Sequence, residues 1–220
     1  MKIVVEAQYF PPVAYFWLLN QSQEVVIDTH EYFVKQTYRN RMRVNGANGP
    51  LSLTIPIQHQ QPKMPMKEVK VDHREHWRKQ HWRSIQSAYG KAPFFDHFAP
   101  YVEPLFLTEK TFLMDYLAES LTICQRLMQS RYPISFSEKY IETSQEADFD
   151  FRSSITPKTD TSNLAGFSPK AYFQLFGKDF VPNMSILDLL FCEGPNTVSF
   201  IEGSGKIKKE QLQKTSRFLL

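Results

Sequence analysis

Ile3-Val4-Val5, Gln8-Tyr9-Phe10-Pro11-Pro12, Val13-Ala14-Tyr15-Phe16-Trp17-Leu18-Leu19-Asn20 and Val25-Val26-Ile27-Asp28 follow one another at the start of the chain, and their reading decides the fold. The first and last runs are short and wholly apolar, which suits strands buried on both faces of a parallel sheet. Two prolines end the first strand because neither can donate to a ladder. The eight residues after them read as a short apolar helix with prolines near its start. Strand, helix and strand in this order predict a parallel pair joined by a right-handed crossover. The expected class is α/β: a mostly parallel Rossmann-like sheet opened by this β-α-β unit, an antiparallel hairpin, and a helical C-terminal half.

Downstream, Asn45-Gly46-Ala47-Asn48-Gly49-Pro50 is the strongest turn signal, since Asn and Gly tolerate positive φ. Leu51, Leu53, Ile55 and Ile57 alternate with smaller or polar residues, so a hairpin is expected over 41–57, with Met42–Val44 against Leu51–Leu53. A helix is expected over 72–89, opened by a capping box of Asp72 and Glu75 and closed by Gly90. Further helices are expected over 108–128, 169–176 and 185–191, with a strand at 134–136. Asp188 sits inside the last, very apolar helix and needs a partner, although Ser185-x-x-Asp188 also has capping-box spacing. Residues 142–168 are polar and too long for a simple connection, a length typical of lids or disorder. The domain is expected to span 1–196, followed by a basic tail over 197–220.

The chain has 220 residues with 42% hydrophobic and 22% charged, enough for one sizeable core. A net charge of +3 is too small to argue for nucleic acid. The distribution says more: residues 30–90 hold 11 Lys/Arg against 4 Asp/Glu, and residues 101–160 hold 6 against 10. An anionic ligand therefore favours the first half. Cys124 and Cys192 fit no metal or redox spacing and are expected as buried free thiols in a reducing compartment. The N-terminus reads as a strand without a signal region, and no apolar run approaches a membrane span of roughly 18 residues, so the expected location is cytoplasmic. His73, His76 and His81 lack the i, i+4 spacing of a zinc helix. Neither metal nor cofactor is expected, and Gly203-Ser204-Gly205-Lys206 is not a phosphate loop because Ile207 replaces the required Ser/Thr.

The candidate site is the stretch Asp28-Thr29-His30-Glu31-Tyr32-Phe33-Val34-Lys35-Gln36-Thr37-Tyr38-Arg39-Asn40-Arg41-Met42-Arg43-Val44. Asp28 and His30 stand at a strand's carboxyl end, where open α/β sheets place ligands, and they are the acid/base candidates. Read at period two, Lys35, Thr37, Arg39, Arg41 and Arg43 share one face, while Tyr32, Val34, Tyr38, Met42 and Val44 anchor the other. Two readings follow: a solvated basic strand, or an anion-binding wall in which Lys35, Arg39 and Arg41 converge beside Asp28 and His30. In a competing account Arg39 and Arg41 pair with the acidic half and hold the domain together.

The opening also invites comparison with nucleotidyltransferases, but both histidines and the glycine of their His-x-Gly-His helix start are missing after Phe10-Pro11-Pro12. Several other motifs coincide in order. They are Gln8-Tyr9-Phe10-Pro11 with Tyr15-Phe16, Tyr32-x-x-Lys35, Arg39-Asn40-Arg41, Ala92-Pro93-Phe94-Phe95, and Asn183-x-Ser185-Ile186-x-Asp188-Leu189-Leu190-Phe191-x-x-Gly194. Together they resemble the WbqC-like protein family of bacteria over nearly the whole chain to about residue 196. The resemblance implies a role in O-antigen or other surface-polysaccharide biosynthesis, with aminoacyl (glycine) or acyl transfer onto a nucleotide-linked sugar. It adds Gln8, Tyr9, Tyr32 and Asn40 to the substrate-binding candidates. Where family members carry two adjacent acids, this chain has Asp28-Thr29-His30. The alternative is a non-catalytic binder of a nucleotide or phosphorylated sugar. Either way the expected partner is a small anionic substrate, with neither nucleic acid nor a membrane span.

Overall fold

A computed structural model of the chain describes residues 1–58, 61–142, 146–159, 164 and 166–208. Strand β1 (Lys2–Val5) pairs in parallel with β2 (Glu24–Ile27), Lys2 opposite Glu24 and Val5 opposite Ile27. Helix α1 (Val13–Asn20) makes the crossover, and its residues from Val13 to Leu19 are all buried. Strands β5 (Ile134–Phe136) and β6 (Phe149–Asp150) extend the sheet in parallel, giving the order β5-β2-β1-β6. Alternation in β1 serves two layers: Ile3 and Val5 face the main core, while Val4 meets Val26 and Ile141 on the other side.

The hairpin is β3 (Arg41–Gly46) against β4 (Gly49–Thr54), with Met42 opposite Leu53 and Val44 opposite Leu51, the register read from the sequence. Gly49 takes φ +95° at the turn, a conformation that only glycine adopts freely. Helices α2 (Trp77–Tyr89), α3 (Phe95–Val102), α4 (Pro104–Leu107) and α5 (Leu113–Leu127) lie between the hairpin and β5. Helix α6 (Ile186–Glu193) runs through the core, buried from Ile186 to Cys192, and packs on α1, α3, α5 and β3. Cys124 and Cys192 are buried free thiols. Among the described residues no helix is long and apolar enough to cross a membrane.

Four local expectations fail for identifiable reasons. Helix α2 begins at Trp77 because Asp72 spends its carboxylate on the backbone and guanidinium of Arg74, leaving no side-chain cap at His76. Residues 169–176 form no helix. Tyr172 (2.6 Å) and Gln174 (2.7 Å) instead donate to the buried Asp188 carboxylate, the partners that this acid needs. Ser185 does cap α6 by accepting from the Leu187 N–H, but its own N–H goes to Arg43, so the reciprocal half of the box is absent. Residues 142–168 are partly core: β6 lies in the sheet, and Phe151, Ile155, Leu164 and Phe167 are buried. Residues 143–145, 160–163 and 165 of that run lie outside the described residues. Thr197–Glu202 form a helix, α7, which packs on α1, and the Trp17 indole donates to the Gly205 carbonyl at 2.8 Å. The rest of the basic tail, 209–220, lies outside the described residues.

Phe191 is fully buried between Tyr89 (5.3 Å between ring centroids) and Phe95 (5.1 Å). Phe191→Ala is therefore expected to cost about 3–5 kcal/mol. Phe173→Ala, at a position 58% exposed, should cost less than about 0.5 kcal/mol. Urea midpoints measure both, and equal losses would place the core elsewhere.

Candidate functional site

The chain passes outward from β1 to β2 and β5, then returns to the far side of β1 as β6. Strand order therefore reverses at β1, and the carboxyl ends of β1 and β6 stand at that switch point, the place where open α/β sheets put ligands. Glu6 and Gln8 leave β1 there, Asp28 to Glu31 leave β2, and Arg152 and Ser153 follow β6.

Asp28 is fully buried, and every face of its carboxylate is used. Oδ1 accepts from the His30 and Glu31 N–H groups and the Ser137 hydroxyl (2.9, 3.1 and 3.0 Å). Oδ2 accepts from the Ile141 N–H (3.2 Å) and an Arg152 Nη1 (2.6 Å). Five donors fill the lone pairs of a carboxylate, so Asp28 fixes the strand end and leaves no capacity for substrate. Arg152 also grips Asp150 and lies 4.8 Å from the Tyr140 ring centroid. Burial works against its charge, but Asp150, Tyr140 and Asp28 outweigh it and hold the guanidinium above its usual pKa.

Arg39 has no exposed surface and holds Glu31 bidentately at 2.8 and 2.7 Å, with a further bond to Ser153 at 3.1 Å. Burial, with Glu6 and Asp28 nearby, pushes the Glu31 carboxyl up to about 7 against the pull of Arg39. Glu6 accepts from Gln8 Nε2 and the Ser153 N–H. Gln8 also donates to the Ile155 carbonyl. Among the described residues, Arg39 Nη1 and Gln8 Oε1 have no partner. Four acids (Glu6, Asp28, Glu31, Asp150) thus face two arginines, so this cluster carries an excess of acids over paired arginines and is not a wall of free cations.

The segment from Asp28 to Asn40 is a series of turns, with Gln36 at φ +60°, so the period-two face does not form. Thr37, Tyr38 and Arg39 all go inside, while Tyr32 and Val34, expected as anchors, are half exposed and Lys35 is exposed. Arg41 enters β3 with a buried Nε that has no hydrogen-bond partner among the described residues. Asn40 donates to the Ile55 carbonyl. Tyr9 is buried, 3.2 Å from His81 Nδ1, and burial drops His81 to about 4, so that histidine is neutral. Of the residues proposed from sequence, Asp28, Gln8 and Arg39 thus share one network. Tyr9 and Asn40 serve packing bonds, and Tyr32 and Lys35 stand at the surface.

His30 is the accessible member. Its Nδ1 lies 3.0 Å from Thr29 Oγ1, whose own hydrogen goes to the Ser137 carbonyl. Nδ1 must then carry the proton, and Nε2 accepts from the exposed Lys67 ammonium at 2.9 Å. Sequence reasoning missed Glu6, Glu31, Lys67, Ser137 and Arg152. An acid directly after an apolar strand, as in Val5-Glu6, was the one available signal.

Comparison with known proteins gives two findings. The profile of the WbqC-like protein family matches residues 6–168 and 161–200. A protein of Mycobacterium tuberculosis (strain ATCC 25618 / H37Rv) named "Uncharacterized protein Rv1507c" is 25% identical over 227 residues, covering 90% of this chain and 96% of that one. No solved structure gives a significant match.

Two measurements test the network. Asp28→Asn leaves Arg152 and the Ile141 N–H facing an amide, and is expected to cost about 3–5 kcal/mol. Replacing Arg152 by Met in the same chain should recover part of that loss. The second concerns Glu31, whose folded pKa lies above its usual 4.5. In that window the folded protein holds a proton that the unfolded chain has released, so Glu31 makes stability fall as pH rises from about 4.5 to about 7. Relative to Glu31→Gln, wild type should lose a few kcal/mol across it. A pH-independent difference in urea midpoints would refute the raised value.

Proposed function

The chain belongs to the WbqC-like protein family, and from that premise we propose that it transfers an acyl or aminoacyl (glycine) group onto a nucleotide-linked sugar for surface-polysaccharide assembly. The observation that carries this reading is the accessible His30 at the carboxyl end of β2, with its Nδ1 proton fixed and its Nε2 lone pair turned to Lys67. A neutral imidazole nitrogen can take the proton that an amine or hydroxyl acceptor loses as it attacks the acyl carbon. The new bond forms to the acceptor atom, and the bond to the donor's leaving group breaks. Lys67, released from His30, is placed to meet phosphate or the developing oxyanion, and the exposed Lys35 adds charge on the segment that carries His30. Asp28 acts through position: it accepts the His30 N–H and holds the loop.

Ser137 stands 3.4 Å from His30 Nδ1. That nitrogen already carries its proton, so His30 cannot deprotonate the serine, and direct transfer is favoured over a covalent intermediate. A second reading, a binder that performs no reaction, gains support from the complete pairing of Asp28 and Glu31.

His30→Gln separates the two. For the transferase, the rate at which labelled glycine appears on a nucleotide-linked sugar should fall by roughly 10²–10⁴-fold. Affinity for the nucleotide-linked sugar should stay nearly unchanged. Lys67→Met should weaken that affinity about ten-fold or more. An unaltered rate in His30→Gln would remove His30 from the chemistry. Mass spectrometry of a co-purified ligand would identify the substrate class directly.

A further inference from the structure

The hairpin turn is written with two Asn-Gly pairs, Asn45-Gly46 and Asn48-Gly49, and the sequence holds no others. In such a pair the backbone nitrogen of the glycine can attack the side-chain amide carbon of the asparagine. Glycine permits this because it has no side chain to hinder the approach and leaves the backbone free to turn. The reaction is intramolecular and consumes only water, so the fold enters by deciding whether attacker and target can meet.

The two pairs sit in different surroundings. Asn45 is buried inside β3, opposite Pro50. Its N–H donates to the Tyr89 hydroxyl at 3.0 Å, and its Nδ2 donates to the Phe176 carbonyl at 3.0 Å. Turning its amide carbon towards the Gly46 nitrogen breaks the second bond and disturbs the first, and each loss slows the attack by about two- to ten-fold. Asn48 stands at the tip of the same hairpin, in the turn between β3 and β4. It is exposed, and its side chain makes no hydrogen bond among the described residues. A Cβ placed on Gly49 would meet nothing within 4 Å, so space is open beside the attacking nitrogen. Gly46 and Gly49 are partners in one ladder, so backbone pairing restrains both glycines alike and the difference lies in the side chains.

We propose that Asn48 is a site of spontaneous deamidation and that the fold protects Asn45 from the same reaction. The Gly49 nitrogen forms a bond to Asn48 Cγ and gives up its proton. The Cγ–Nδ2 bond breaks, and ammonia leaves with that proton. Water then opens the succinimide ring at either carbonyl, giving aspartate or isoaspartate. Both products add a negative charge at the hairpin tip, where Asn48 and Arg83 line one cavity of about 450 Å³. Isoaspartate also adds a methylene to the main chain of a turn whose length sets the hairpin register, and so loosens the β3–β4 pairing. The site is separate from His30 and holds whether or not the domain transfers any group.

The test incubates the full chain at neutral pH, folded and in urea, and sequences the tryptic peptide of residues 44–63 by electron-transfer mass spectrometry. That peptide carries both pairs, so each sample holds its own control. In the folded protein, conversion at Asn48 should exceed conversion at Asn45 by roughly ten-fold or more. In urea the two should convert at similar rates. Equal conversion in the folded protein would overturn the protection of Asn45. An Asn48 that stays intact when folded, yet converts in urea, would overturn the site. Asn48→Gln should abolish the reaction at this position, because attack would have to close a larger ring. Protein converted to isoaspartate should melt about 2–4 °C below fresh protein, while Asn48→Gln incubated in the same way should melt unchanged. A converted protein with an unshifted melting temperature would refute the loosening assigned to the lengthened turn.

Discussion

The carboxylate of Asp28 ends β2 with no exposure to solvent and five donors around it. The donors come from the loop after β2, from the segment after β5, and from Arg152 after β6. One side chain therefore ties together three strands that the parallel ladder alone joins only over two to four residues. A buried ion pair such as Asp28–Arg152 adds little net stability, since desolvation offsets most of the attraction, but losing one partner strands the other. Its value here is specificity of connection: it fixes which loops meet at the carboxyl end of the sheet.

A second ion pair, Arg39 with Glu31, lies above the first and shares its neighbours. Glu6 opposes Glu31 and binds Ser153, so the two arginines and four acids form one network around β1 and β2. Low dielectric makes such a network sensitive to a single proton, which is why burial and neighbouring acids can drive Glu31 towards neutrality. Within this rigid frame His30 alone combines a fixed tautomer with access to solvent. The frame holds the loop that carries His30, whose Nε2 accepts from the exposed Lys67.

Helix α6 carries a second organising acid. Asp188 sits among Ile186, Leu187, Leu189 and Leu190, and burial raises its pKa despite bonds from Tyr172 and Gln174. Gln174 also bonds both backbone groups of Val181. A run with helical aromatic spacing is thereby drawn into irregular structure, because satisfying a buried carboxylate outweighs weak local propensity.

The sequence by itself determined the opening β-α-β unit, the hairpin and its register, the strand at Ile134–Phe136 and the buried thiols. Each follows from short-range causes: apolar runs, prolines that cannot pair, and Asn-Gly turns. It also placed Asp28 and His30 at a strand end. Only the tertiary structure decided what surrounds them. Whether Arg39 is a free cation depends on Glu31 and on Ser153, which lies 114 residues away, and whether Asp28 is available depends on Arg152, 124 residues away. The same holds for the start of α2, since Asp72 had two possible uses and the nearby Arg74 took it. Periodicity reports which face a residue occupies, but charge pairing is settled by distance in space, and sequence spacing does not encode that distance.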